Sequence, residues 1–406
     1  MCSAMNNTAN IKVVGVGGGG VNAIDRMIQD GLAGVDFIAV NTDSQSLMKS
    51  EAHVKLDIGQ KVSNGLGAGA DPTVGKRAAE ENLELVVEAI RGSDMVFVTA
   101  GEGGGTGTGA APVIARAARE DGALTVGVVT RPFSHEGLQR TRNADSGITE
   151  LREAVDTLIV IPNDRLLETT EEDLSIMDAY RMADKVLYDG VKGISDLITK
   201  PGEINLDFAD VKAIMKGAGT ALMGIGSATG PDRALRATEN AISSPLLEAR
   251  IDGAHGVLLS FTASTDFTLR EHAEASQLVK EAVDPNANII IGLNIDESLG
   301  DEVQVTVIAA GFDEAADYLI QNTPSTAKHA STTPIPVVPE TEGEDRLPGQ
   351  VNKAEAVVEP PAVETPVVRP RVTRTEAEPI SLVPPVEERP TRRPDLDIPP
   401  FLFGDE

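Results

Sequence analysis

The 406-residue chain contains a single cysteine, Cys2, so no internal disulfide can brace it. It lacks the basic start and apolar core of a signal peptide, and no apolar run approaches the roughly 18 residues needed to span a bilayer. The most apolar stretches, such as Asp94 to Ala100, are strand-length. These absences point to the cytosol and leave any membrane connection to partners. Basic residues are scarce as well: 35 Lys and Arg stand against 63 Asp and Glu, a formal net charge of -28. Binding along a phosphate backbone takes clustered Lys and Arg, so direct nucleic-acid binding is not expected. The five histidines, His53, His135, His255, His272 and His329, show no metal-ligand spacing, and no nucleophile elbow marks Ser-His-Asp chemistry. No side-chain metal site is expected. There is no internal repeat.

Beyond Thr323 lie 16 of the 24 prolines but only 3 of the 39 glycines. A segment rich in Pro, Glu, Val and Thr cannot build a core and reads as a disordered spacer. Before it, short apolar runs alternate with amphipathic stretches: Ile11 to Val16, Phe37 to Asn41, Met95 to Ala100, Leu124 to Thr130 and Leu158 to Pro162. That alternation predicts a doubly wound parallel α/β sheet. A long helical pattern from about Leu174 to Thr199, closed by Lys200, Pro201 and Gly202, leads into a mixed region with apolar runs at Gly256 to Thr262, Asn288 to Leu293 and Val303 to Ala310. The expected layout is a flexible N-terminus at 1–10, a nucleotide-binding domain at 11–173, a central helix and connector at 174–202, a smaller α+β domain at 203–316, a disordered linker at 317–394 and a terminal peptide at 395–406.

Two glycine-rich stretches carry the chemistry. Val13-Val14-Gly15-Val16-Gly17-Gly18-Gly19-Gly20-Val21-Asn22 ends an apolar run and opens a helical pattern, which lets backbone N–H groups approach a phosphate at a helix N-terminus. Alone, with Asp43 just past the next strand, it reads equally as a dinucleotide site of a nicotinamide-dependent oxidoreductase, or as a tight turn. The second stretch, Gly101-Glu102-Gly103-Gly104-Gly105-Thr106-Gly107-Thr108-Gly109, costs backbone entropy that a plain connection would not require. A dinucleotide fold needs no second cradle. The chain has no G-x-x-x-x-G-K-[ST] motif, so an acidic body that grips a triphosphate must do so with amides and metal ions.

Gly104-Gly105-Thr106-Gly107-Thr108-Gly109 resembles the signature shared by tubulins and FtsZ, and Gly17 to Ala23 resembles the first FtsZ phosphate loop. The similarity continues in Ala39-Val40-Asn41-Thr42-Asp43, Gly65-Leu66-Gly67-Ala68-Gly69-Ala70, Arg131-Pro132-Phe133, Ile161-Pro162-Asn163-Asp164 and Asn205 to Val211, and covers roughly the first 316 residues. The resemblance to the tubulin/FtsZ family implies a GTPase that polymerises head to tail in bacterial cell division. It implies GTP or GDP with Mg²⁺ on the first domain, held by Gly18, Gly19, Gly20, Val21, Asn22, Thr42, Asp43, Ala68, Gly69, Ala70, Gly104, Gly105, Thr106, Gly107, Thr108 and Asn163.

Single side chains have plainer readings beside those the family implies. Glu136 and Arg140, four apart on a predicted helix, make on spacing alone a surface ion pair worth about 0.2–0.5 kcal/mol; the family implies contact with the nucleotide's sugar region. Tyr180 on the long helix reads as packing, yet the resemblance puts its ring near guanine, where the family usually has Phe, with Asp184 on the base's edge and Asn22 as another base contact. Asp207 with Asp210 three residues on is an ordinary helix start. Family membership implies instead that Asn205, Asp207 and Asp210 reach the γ-phosphate of the neighbouring subunit and orient the attacking water. These intact acids argue against a relative that assembles without hydrolysing. Asp397-Ile398-Pro399-Pro400-Phe401-Leu402 resembles the FtsZ tail peptide, which implies docking of membrane-tethering adaptors on Asp395 to Leu402 at a mid-cell ring beneath the membrane.

Overall fold

A computed structural model of the chain describes residues 9–167, 175–199, 207–247 and 251–312. The expected helix stop at 200–202, Asn205, the proline-rich linker and the terminal peptide lie outside the described residues. The strands are β1 (Ile11–Val16), β2 (Asp36–Asn41), β3 (Val54–Asp57), β4 (Met95–Gly101), β5 (Leu124–Arg131), β6 (Thr157–Pro162), β7 (Gly219–Thr229), β8 (Ala254–Ala263), β9 (Asn288–Ile295) and β10 (Glu302–Phe312). They form one sheet in the order β3-β2-β1-β4-β5-β6-β7-β10-β8-β9. From β3 to β7 every pairing is parallel; β10 runs antiparallel to both β7 and β8, and β9 is parallel to β8.

The apolar runs become strands because both faces of the sheet are covered. Val13, Phe37, Phe97 and Val126 point to one face, whose core includes Ile24 and Met27 of α1 (Gly17–Gln29) and Ala183, Leu187, Val191 and Ile194 of α9 (Ile176–Thr199). Val14, Ile38, Val98 and Val129 point to the other. There they meet α4 (Pro72–Glu81), α5 (Leu83–Ile90), α6 (Thr106–Glu120) and α7 (Leu138–Ala154). The side-chain period of two puts neighbours Val13 and Val14 in different cores. Two short helices, α2 (Ser44–Lys49) and α3 (Gln60–Ser63), flank β3, and α8 (Asn163–Leu166) follows β6. A third core covers β8 and β10 with α11 (Arg233–Ile242) and α12 (Leu269–Ala282), while Val211, Ile214 and Met215 of α10 (Phe208–Met215) join the first.

The smaller α+β part adds its strands to the same ladder: Thr157, Leu158 and Ile159 of β6 pair with Gly219, Thr220 and Ala221 of β7. Sequence reasoning did not foresee β3, a short edge strand, or β7, whose glycines Gly219, Gly224 and Gly226 dilute its apolar pattern. Gly224 and Gly226 leave room for α11, since a Cβ there would lie 2.0 Å from the Ala241 carbonyl oxygen and 2.2 Å from that of Ala237.

Candidate functional site

The order of strand addition reverses across the β1–β4 boundary, with β2 and β3 on one side and β5 and β6 on the other. In open α/β sheets the crevice outside the carboxyl ends of such strands is where ligands bind. Helix α1 begins as β1 ends, and α6 begins shortly after β4, so both helix N-termini open at this place. Neither has a side-chain cap, whereas Asp43, Asp71, Asp207 and Thr268 cap α2, α4, α10 and α12. The opening N–H groups of a helix have no partner within it, and two uncapped ends facing one cavity make an anion site without any lysine.

The glycines let the two loops touch. Gly17 has φ +71°, and a Cβ on it would meet the Gly107 nitrogen at 2.7 Å; one on Gly103, at φ +97°, would meet the Arg140 carbonyl oxygen at 2.8 Å. The buried Thr42 hydroxyl lies 2.6 Å from that of Thr106, which ties the loop after β2 to the second glycine loop. Gly67 donates its N–H to the Thr42 carbonyl at 3.1 Å. The Asn143 amide donates to the Ala70 carbonyl at 3.2 Å, fastening that loop to α7.

The cavity so formed has a volume of about 640 Å³. Of the residues singled out in the sequence, Gly18, Gly19, Asn22, Asp43, Ala68, Ala70, Gly104, Gly105, Thr106, Gly107, Glu136, Arg140, Asn163, Tyr180 and Asp184 line it. Gly20, Val21, Thr42, Gly69 and Thr108 do not. Gly20 packs tightly on the Thr99 carbonyl, Val21 is buried in the core, and Thr42 and Thr108 brace the loops from behind. Gly101, Glu102, Thr130, Pro132, Ala183 and Leu187 also line the cavity; Gly101, Glu102 and Pro132 lie in quoted motifs, but none of the six was expected as a site residue. Ala183 and Leu187 were legible: with Tyr180 and Asp184 they make an i, i+3, i+4, i+7 stripe, one face of α9.

The polar wall has distinct jobs. Asn163 is 5% exposed and its Oδ1 has no hydrogen-bond partner, so a buried acceptor faces the cavity ready for a ligand donor. Burial pushes the Asp184 carboxyl up to about 6, with Arg26 pulling it back. The Tyr180 ring stands edge-on to Phe133, centroids 5.5 Å apart, and burial, then the nearby Glu136 carboxylate, raises its hydroxyl above the ordinary value. Asp43 uses one carboxylate oxygen to accept from Gln45 and Ser46.

Glu136 and Arg140 do not share a helix as the spacing predicted. Glu136 closes a short 3₁₀ turn, Ser134–Glu136, and Gly137 at φ +98° breaks the chain before α7. The pair still forms: Arg140 Nη1 donates to Glu136 Oε2 at 2.5 Å, while Oε1 accepts the Phe133 N–H at 3.0 Å.

Asp207 and Asp210 lie elsewhere. Asp207 caps α10, accepting the Asp210 N–H at 2.9 Å, which is the plain helix-start geometry. The other end of α10 is fastened to the beginning of β6, where the Thr157 hydroxyl donates to the Met215 carbonyl, at the amino ends of the parallel strands, whereas the cavity lies beyond their carboxyl ends. Among the described residues no group of three or more His, Cys, Asp or Glu is placed to hold a metal ion.

The profile of the Tubulin/FtsZ family GTPase domain matches residues 10–171, and that of the FtsZ family C-terminal domain matches residues 219–313. Among solved structures, the chain is similar to an empty dimer of FtsZ from M. jannaschii, at 46% identity and a TM-score of 0.73, over 76% of this chain and 89% of that one. A point mutant of the M. jannaschii protein matches at 47% identity and the same TM-score, over 75% and 92%. A GTPγS-bound protofilament of CetZ2 from Haloferax volcanii shares the fold, with a TM-score of 0.66 at 22% identity over 77% and 96%. None of these likenesses supports the nicotinamide-dependent oxidoreductase left open by the first glycine loop. With both family domains in order along one chain and nearly half the residues shared with an FtsZ over most of its length, the protein belongs to the tubulin/FtsZ family of GTPases.

Proposed function

We propose that the protein is a polymerising cell-division GTPase whose hydrolytic site is completed only between two copies. GTP lies in the cavity with its phosphates on the amides of Gly18, Gly19 and Gly104 to Gly107. Its ribose lies beside Glu136 and Arg140 and its base between Asn22, Tyr180 and Asp184. An ionised Asp184 accepts from the N1–H and exocyclic amine of guanine; adenine offers no such pair of donors. Mg²⁺, when bound, would neutralise charge on the phosphates, although among the described residues no group of three or more acidic side chains is placed to hold it.

The observation that carries this reading is the separation within one chain of the anion-binding cavity from the acidic start of α10. Neither Asp207 nor Asp210 lines the subunit's own cavity, but a second copy stacked head to tail can bring them to it. In that arrangement Asn205, Asp207 and Asp210 of the incoming copy orient water toward the γ-phosphate, and positioning supplies most of the rate. Loss of the γ-phosphate then weakens the contact and lets filaments turn over into the cytokinetic ring, which the terminal peptide, Asp395 to Leu402, ties to membrane-bound adaptors.

Light scattering with GTP, GDP and ATP, alongside phosphate release over a dilution series, tests the reading. Assembly should require GTP, and activity per subunit should fall towards zero on dilution. A specific activity independent of concentration would overturn the shared site.

A further inference from the structure

Glu102 differs from the other cavity residues. It sits in the second glycine loop, is 4% exposed, and neither carboxyl oxygen has a hydrogen-bond partner. Its backbone N–H is held by the Thr130 carbonyl at 2.9 Å, so β5 fixes the root of the side chain. The carboxyl wedges between the loop and α7: a Cβ added to Gly147 would lie 2.5 Å from Glu102 Oε2 and 2.4 Å from the Thr108 methyl carbon. Helix α7 therefore carries a glycine where the acid needs room. Thr108 Oγ1 accepts the Gly103 N–H at 2.8 Å, which leaves its own hydrogen free to turn towards the carboxyl.

A buried acid without a cation or a full set of donors is stable only when neutral. Burial pushes Glu102 up to about 8, the Thr108 hydroxyl pulling the other way. Of the charged side chains on the surrounding elements, Arg142 of α7 is exposed, while others are engaged elsewhere. Arg131 of β5 pairs with Asp145 of α7 at 2.6 Å, Lys76 of α4 with Glu150 of α7 at 2.9 Å, and Arg140 of α7 with Glu136 at 2.5 Å. Strand β4 has no charged residue, and α6 none before Arg116. Across the cavity, Asp184 titrates lower, at about 6, and Tyr180 above the ordinary tyrosine range.

We propose that Glu102 is a positioning residue of the phosphate loop that works only when protonated: as a neutral acid it props the loop against α7, and as a carboxylate it sets negative charge beneath the phosphates and expels the nucleotide. This rests on the reading of the cavity as the GTP site. The sign follows from linkage. Bound phosphates favour the protonated acid, so the bound state holds more protons and affinity falls as pH rises. With a midpoint of about 8 in the free protein, affinity should weaken about fourfold between pH 7 and 8.5.

The test is binding of fluorescently labelled GDP to the full chain, diluted below assembly, across that range, for the wild type, Glu102→Gln and Glu102→Met. The wild type should show the fourfold loss, and both variants, which lack a titrating group, should be flat. The Met variant carries the comparison if a buried amide does not fold. A slope shared by wild type and variants would overturn the role of Glu102 while leaving the GTP site intact. Failure of the wild type to bind GDP at any pH would instead overturn the GTP-site reading and this inference with it. As a direct check, a carbon-13 titration of the Glu102 carboxyl should give a midpoint near 8, and a midpoint below 6 would also overturn the proposal.

Discussion

Replacing Asp184 by Asn should make the empty protein more stable and the nucleotide complex weaker, two effects of opposite sign from one atom change. The folded environment raises this carboxyl from roughly 4 in an unfolded chain to about 6. At pH 7 the group is ionised in both states, so its half-buried charge destabilises the fold by up to about 3 kcal/mol, two pH units at 1.36 kcal/mol each. The folded pKa lies above the unfolded one, so the folded state holds the extra proton and the cost vanishes at low pH. It grows as pH rises from about 4 to about 6 and is constant above. An amide of the same shape removes this cost. It also replaces a carboxylate oxygen by an NH₂ group that cannot accept from guanine. Losing one charge-assisted hydrogen bond costs about 1.5–3 kcal/mol, a weakening of GDP binding by roughly tenfold to a hundredfold. The assay is thermal unfolding of nucleotide-free protein at pH 7 together with labelled-GDP titration. In the wild type, affinity should itself fall about fourfold between pH 7.5 and 5.5 as Asp184 protonates, and the Asn variant should lose that dependence. An Asn variant that is less stable when empty, or that binds GDP as tightly as the wild type, would refute the assignment.

Asp210→Ala should keep GDP affinity within a factor of two and abolish hydrolysis, leaving longer-lived filaments in light scattering. The Asp210 N–H that the Asp207 cap uses is backbone, so the helix start survives; loss of nucleotide binding would restore the plain structural role. Asp207→Ala removes that cap and should in addition cost about 1 kcal/mol of stability, read by chemical denaturation. Deleting Asp395 to Glu406 should leave hydrolysis and assembly nearly unchanged while abolishing co-sedimentation with adaptor-loaded vesicles; undiminished recruitment would sink the docking role.

Much of the cavity was legible because glycine has few other reasons to cluster. The runs Gly17 to Gly20 and Gly103 to Gly107 mark where backbone meets backbone, and the structure shows those approaches at Gly17 and Gly103. Five strands of the parallel half were legible because burial on both faces leaves unbroken apolar runs. Legibility ended where a single residue changed the local geometry. Gly137 at φ +98° split the helix expected to hold Glu136 and Arg140, yet the two still meet as a local ion pair four residues apart. Glu102 was invisible because a glutamate in a glycine loop reads as solvent-facing. Its burial arises from Thr108 and Gly147, the latter 45 positions away in sequence. The orphaned Asn163 Oδ1 likewise follows from packing and from no motif.

The three residue pairs that splice β6 to β7 place the two halves of the chain in mechanical series. The core beneath them is shared, since Ile159 and Ile161 lie in the same apolar cluster as Met223, Leu258 and Ile308. Heat should therefore find no separate fragment to melt first, and the described residues should unfold in one cooperative step. In a head-to-tail assembly, tension between successive nucleotides would run from the cavity at the carboxyl ends of the parallel strands towards α10, whose far end is fastened at their amino ends. It would cross this short splice and the α9 rod, which is about 36 Å long at 1.5 Å per residue. Strain in a bent polymer would then be felt at the splice and in the shared core beneath it together.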